Sequence, residues 1–142
     1  MNIVVVNPSG ASLSGAQQLA DQNVVFVTWA GTSVPEDAGV RHLSVARPAR
    51  GSLATRVTER LSGSALGRNA MRLTPLDTGR AFARSAGRDE SFRSAIAQAD
   101  MVIAAERDAI LTVWRIGREL ASPTAHLIYG MAPAQSLLAE GS

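Results

Sequence analysis

The chain has 142 residues, 46% of them apolar and 18% charged, with a formal net charge of +2 at neutral pH. This is the composition of a folded domain with a sizeable core, not of a disordered or membrane-embedded chain. It has no cysteine, and its 14 basic residues are all arginine. That excludes disulfides, thiol nucleophiles, zinc–thiolate centres, Schiff-base chemistry and a phosphate-loop lysine.

In chain order, Asn2 to Asn7 is a short Ile/Val run closed by Pro8, which reads as a buried strand. Ser14 is a good N-cap for a brief helix to about Asp21. Val24 to Trp29 is a second buried strand, and Val40 to Ala46 a third, ended by Pro48 and Gly51. Leu53, Val57 and Leu61, at i, i+4 and i+8, predict an amphipathic helix with Arg56 and Arg60 outward. The stretch 62–79 mixes four glycines and prolines with small and basic residues and yields no element. Arg80, Arg84 and Arg88 share one face of a helix limited by Gly79 and Gly87. Asp89 then caps a helix with Phe92, Ile96 and Ala99 inward.

Asp100 to Ala105 is a fourth strand. Arg107 to Leu120 reads as an amphipathic helix whose apolar face carries Ile110, Leu111, Val113, Trp114, Gly117 and Leu120, with Trp114 packed inward. Pro123 stops it, and His126 to Gly130 is the last strand. The tail after Met131 is expected to add one helical turn or two. Strands alternating with helices predict an α/β fold: a single Rossmann-like, three-layer domain over 1–142, with a mostly parallel sheet of about five strands.

The loop after the first strand carries the main candidate site. Gly10 and Gly15 have phosphate-loop spacing, but Ala16 and Gln17 stand where Lys and Ser/Thr belong, which excludes an NTPase. The dinucleotide pattern G-x-G-x-x-G is also absent, so no cofactor is expected. What remains is a cradle of backbone N–H groups and small side chains, Asn7, Ser9, Gly10, Ser12, Ser14 and Gly15, suited to a phosphate or to sugar hydroxyls. Glu106 and Arg107, at the end of the fourth strand, form a second candidate contact, because open α/β sheets bind ligands at strand carboxyl ends. Asp108 reads as a helix-terminal charge. His42 and His126 lie in strands and read as structural. No ligand spacing suggests a metal, and no G-x-S-x-G elbow suggests a serine hydrolase.

Charge is uneven: ten arginines lie between Arg47 and Arg93. Such a block can meet an anionic membrane surface. Only Phe82 and Phe92 interleave with it, so nucleic acid is not expected. No apolar run approaches the roughly 18–20 residues of a membrane span, and no secretory leader is evident. A cytoplasmic protein, or one peripheral to the membrane, is expected.

Ser14-Gly15-Ala16-Gln17 after an initial strand resembles the GGAE/GGAQ turn in the N-terminal half of GT-B type glycosyltransferases. Residues 99–115, beginning Ala99-Asp100-Met-Val-Ile-Ala, are similar to that half's last strand–helix unit, which often reads ADVVIA. The resemblance covers the first and last thirds of the chain. The arginine-rich middle is unmatched, and one glycine stands where the family often has two. It implies an acceptor-side domain that binds a sugar or sugar-phosphate at the Asn7–Gly15 loop. The donor-binding half would come from a partner chain, making a homo- or hetero-oligomer that is inactive as the isolated chain. The competing expectation is a non-catalytic interaction or regulatory module on a Rossmann-like frame.

Overall fold

The computed structural model describes residues 1–11, 19, 22–33, 40–49 and 77–140. The expected helices at 14–21 and 52–61, and most of the stretch 62–79, lie outside the described residues. Among the described residues there are five strands: β1 (Asn2–Val6), β2 (Asn23–Trp29), β3 (Arg41–Val45), β4 (Met101–Ala104) and β5 (His126–Tyr129). They form one sheet in the order β3-β2-β1-β4-β5, with every neighbouring pair parallel. Among the described residues four helical segments follow β3: α1 (Thr78–Ala86), α2 (Glu90–Ala97), α3 (residues 107–120) and α4 (Met131–Glu140). The fold is α/β, Rossmann-like and three-layered.

The Ile/Val runs become central parallel strands because both of their faces are covered. Alternation along β1 sends Val4 and Val6 to one face and Ile3 and Val5 to the other. The first face, with Val25 and Val27, packs Phe82, Phe92, Ile96, Val113 and Ile116 from α1, α2 and α3. The second, with Val24, Phe26, Met101 and Ile103, packs Leu19 and Ala134 of α4. Trp29 closes the first layer with its ring edge-on to Phe82, centroids 4.8 Å apart at 87°. Asp77 caps α1 by accepting from the Arg80 N–H (3.1 Å), and Asp89 caps α2 by accepting from the Phe92 N–H (2.9 Å). Each such cap is worth about 1 kcal/mol.

Three expectations are corrected. The tail forms a helix of 10 residues, α4. Its Pro133 sits in the first turn, where a missing N–H breaks no intrahelical bond, and the Met, Ala, Gln, Leu and Glu around it favour helix. Gly79 does not limit α1 but lies inside its first turn. α3 is composite: a 3-10 turn (Arg107–Ala109), α-helical Ile110–Thr112, a π segment (Val113–Gly117) and α-helical Arg118–Leu120. Its buried stripe is Ala109, Thr112, Val113, Ile116 and Gly117, whereas Ile110 and Trp114 are exposed, Trp114 by 59%. Small residues let the helix sit close to the sheet: a Cβ on Gly117 would come within 3.0 Å of the Leu127 side chain. Ile110 and Trp114 are left on the rim.

At the sheet's β5 edge, His126, Leu127 and Tyr129 are exposed. No helix among the described residues is long and apolar enough to cross a membrane.

Candidate functional site

The strand order reverses at β1, where β2 and β3 run off to one side and β4 and β5 to the other. In open α/β sheets this switch point opens a crevice at the strand carboxyl ends. Val6 lies opposite Ala104 in the β1–β4 register, and the Ala105 N–H bonds the Val6 carbonyl at 3.0 Å. The two chains thus leave the sheet side by side, one as Asn7-Pro8-Ser9-Gly10 and the other as Ala105-Glu106-Arg107-Asp108.

The first loop is held by its backbone. Asn7 donates its N–H to the Val27 carbonyl (2.9 Å) and accepts from the Gly10 N–H (3.0 Å), which closes a four-residue turn. The Asn7 side chain is fully buried, yet neither its Nδ2 nor its Oδ1 has a hydrogen-bond partner among the described residues. Leaving such groups unpaired costs about 1–3 kcal/mol. By alternation Asn7 follows Ile3 and Val5 on the face that carries Leu19.

Ser9 and Glu106, each expected to contact ligand, bind each other across the switch point. Glu106 accepts from the Ser9 N–H (2.6 Å) and from the Ser9 hydroxyl (2.5 Å). The Ser9 hydroxyl also accepts from the Ala11 N–H (3.2 Å). A carboxylate of the chain itself therefore fills the donor pair that would have met an anion.

Gly10 has φ +75°, and a Cβ there would lie 2.6 Å from Thr32 Cγ2. Gly31 has φ +80° with nothing within 4 Å of its added Cβ. Both alanine variants incur the left-handed penalty of about 1–2 kcal/mol. Gly10→Ala should cost about 1 kcal/mol more than Gly31→Ala because Thr32 must also give way. Urea unfolding midpoints measure the difference, and equal midpoints would show that the β1 loop is not packed against residue 32.

The second loop is tied to α1. Arg107 bridges Asp77 (3.4 Å) and Asp108 (3.8 Å), and the Thr78 hydroxyl donates to Asp108. Gly79 permits this approach, since a Cβ there would meet the Asp108 carbonyl at 3.1 Å. Beside this network lies an open pocket of about 320 Å³, bordered by Asp77, Arg107, Asp108, Ile110, Leu111 and Trp114.

Of the other sequence candidates, Ser12, Ser14 and Gly15 lie outside the described residues. His42 hydrogen-bonds the Thr28 hydroxyl (2.8 Å) in the β3 edge strand. Among the described residues no group of three or more His, Cys, Asp or Glu is placed to hold a metal ion. In the arginine-rich block, Arg47 packs its guanidinium 5.5 Å from the Trp29 ring centroid and bonds the Ala30 carbonyl. Arg93 meets the Gly87 carbonyl and Glu119.

Sequence reading did not place Asp77, Thr78 or Trp114 at this edge. Asp-Thr-Gly at 77–79 does carry a readable helix-start signal in its aspartate. Fold and site together define a doubly wound parallel α/β domain whose switch-point loops carry a hydroxyl, a buried carboxamide and internally paired carboxylate groups. The chain matches no protein-family model, no curated protein and no solved structure at a significant level.

Proposed function

We propose that the chain is a binding module for a neutral, hydroxyl-rich ligand of sugar type, held at the switch-point crevice between the β1 and β4 loops. The observation that carries this reading is Asn7, a buried carboxamide with both polar atoms unpartnered among the described residues. A carboxamide offers a donor and an acceptor side by side. A vicinal diol satisfies both, because each hydroxyl can donate and accept. A fully ionised phosphate only accepts and would leave Oδ1 unpaired. Glu106 adds to the discrimination, since an anion approaching Ser9 must displace a carboxylate of like charge.

Binding is favoured over autonomous catalysis because the carboxylates of this edge already have partners. Glu106 is held by Ser9, Asp77 by Arg80 and Arg107, and Asp108 by Thr78 and Arg107. This agrees with an acceptor-side, glycosyltransferase-like role in which a partner chain supplies the donor-binding half.

A thermal-shift panel tests the reading. At 100-fold excess over Kd, a specific ligand adds about 2.7 kcal/mol of stability, or several degrees for a chain of this size. Methyl glycosides and free sugars should raise the Tm, whereas inorganic phosphate should not. Shifts confined to phosphorylated or nucleotide-linked sugars would overturn the preference for a neutral ligand. No shift with any of them would favour the interaction-module reading, with the exposed β5 edge as its surface.

A further inference from the structure

The pocket beside Arg107 adjoins the crevice through consecutive residues: Glu106 faces the β1 loop, and Arg107 and Asp108 border the pocket. Its volume of about 320 Å³ is at the small end for ligand sites, enough for a single ring. Its outer wall is Trp114, 59% exposed on a helix whose buried stripe is complete without it. The Arg118 guanidinium lies 5.7 Å from the indole centroid, which steadies the ring.

The chemistry of this wall and rim selects for a class of ligand. An indole face offers a flat apolar surface with a negative π cloud, which suits the C–H face of a pyranose. The rim supplies acceptors (Asp77, Asp108) and a donor (Arg107), and ring hydroxyls can match both. Two carboxylates are balanced by the guanidinium groups of Arg107 and Arg118, so neither an anion nor a cation is drawn in by net charge.

We propose that this pocket is a second saccharide subsite, in which one sugar ring stacks on Trp114 while its hydroxyls bond Asp77, Arg107 and Asp108. The ligand of the domain is then at least a disaccharide, with one residue at the crevice and the next at Trp114. The subsite rests on the sugar reading of the crevice, while its own lining residues do not include Asn7.

The test uses the full chain, methyl glycosides of glucose, galactose, mannose and N-acetylglucosamine, and the di- and trisaccharides built from them. Trp29 is buried, so acrylamide-accessible emission reports Trp114. A binding di- or trisaccharide should shield that emission and bind at least tenfold more tightly than the matching methyl glycoside. Trp114→Ala should remove the tenfold gain while leaving methyl-glycoside affinity and Tm unchanged, and Trp114→Phe should retain most of it.

Methyl glycosides that bind, with no gain for longer saccharides and no effect of Trp114→Ala, would overturn the subsite and leave the crevice reading standing. No binding by any saccharide would overturn both. Shielding of Trp114 that rises with protein concentration in the absence of sugar would identify the face as a protein contact and overturn the subsite.

Discussion

Replacing Asn7 by leucine is expected to make the protein more stable and to abolish ligand binding. The carboxamide is fully buried and unpartnered among the described residues, so the folded state bears its desolvation without a compensating hydrogen bond. Leucine has the same branching with larger end groups, leaves the backbone bonds of Asn7 intact, and removes a cost of about 1–3 kcal/mol. At about 3 °C per kcal/mol for a chain of this size, the Tm should rise by roughly 3–10 °C. Sugar affinity should fall by at least a hundredfold. This opposition of stability and function is expected where a site is kept ready for a ligand. A fall in Tm would show that Asn7 is satisfied in solution and plays a structural part.

The largest destabilisation should come from Phe82→Ala. Phe82 is fully buried in α1, edge-on to Trp29 and within the layer that also holds Phe92 and Ile96. Truncating a buried phenylalanine costs about 3–5 kcal/mol, from lost transfer energy and the cavity left behind. That is a large share of the 5–15 kcal/mol typical of a domain, and the Tm should drop by roughly 10–15 °C. The effect should reach the site, because α1 carries Asp77, Thr78 and Gly79 to the start of α3. Phe82→Leu should cost less than half as much. The urea midpoint, with its slope unchanged, is the measurement; a loss below about 1 kcal/mol would mean that α1 is not anchored through this ring.

Four of the strands were legible as largely apolar runs, whereas β3 (Arg41-His42-Leu43-Ser44-Val45) is mostly polar and was bounded by Pro48 and Gly51. In β1, β2 and β4 that run is buried on both faces, and a parallel sheet demands such runs. Asn7 stood out as the first polar residue after β1, but its lack of partners depends on what surrounds it. Ser9 and Glu106 were each visible as candidates. Their bond to one another spans 97 residues and follows only from the β1–β4 register, which no local pattern encodes. Trp114 was misplaced for a physical reason: large apolar residues were favoured for the buried face, whereas the packed stripe of α3, besides the expected Gly117, includes Ala109 and Thr112. Asp77 and Thr78 were missed because the glycine beside them reads as a break, while in the folded chain Gly79 permits close approach between α1 and α3.

The Asn7 carboxamide is the group proposed to receive a neutral, hydroxylated ligand. Its side-chain NH₂ pair gives two proton resonances on one nitrogen-15, identifiable by their loss in Asn7→Leu. On titration with a methyl glycoside or short saccharide, that pair should shift and exchange more slowly with water, while inorganic phosphate leaves it unchanged. An Asn7 pair that stays fixed while saccharide perturbs resonances elsewhere, or that moves with phosphate alone, would rule out this role for Asn7.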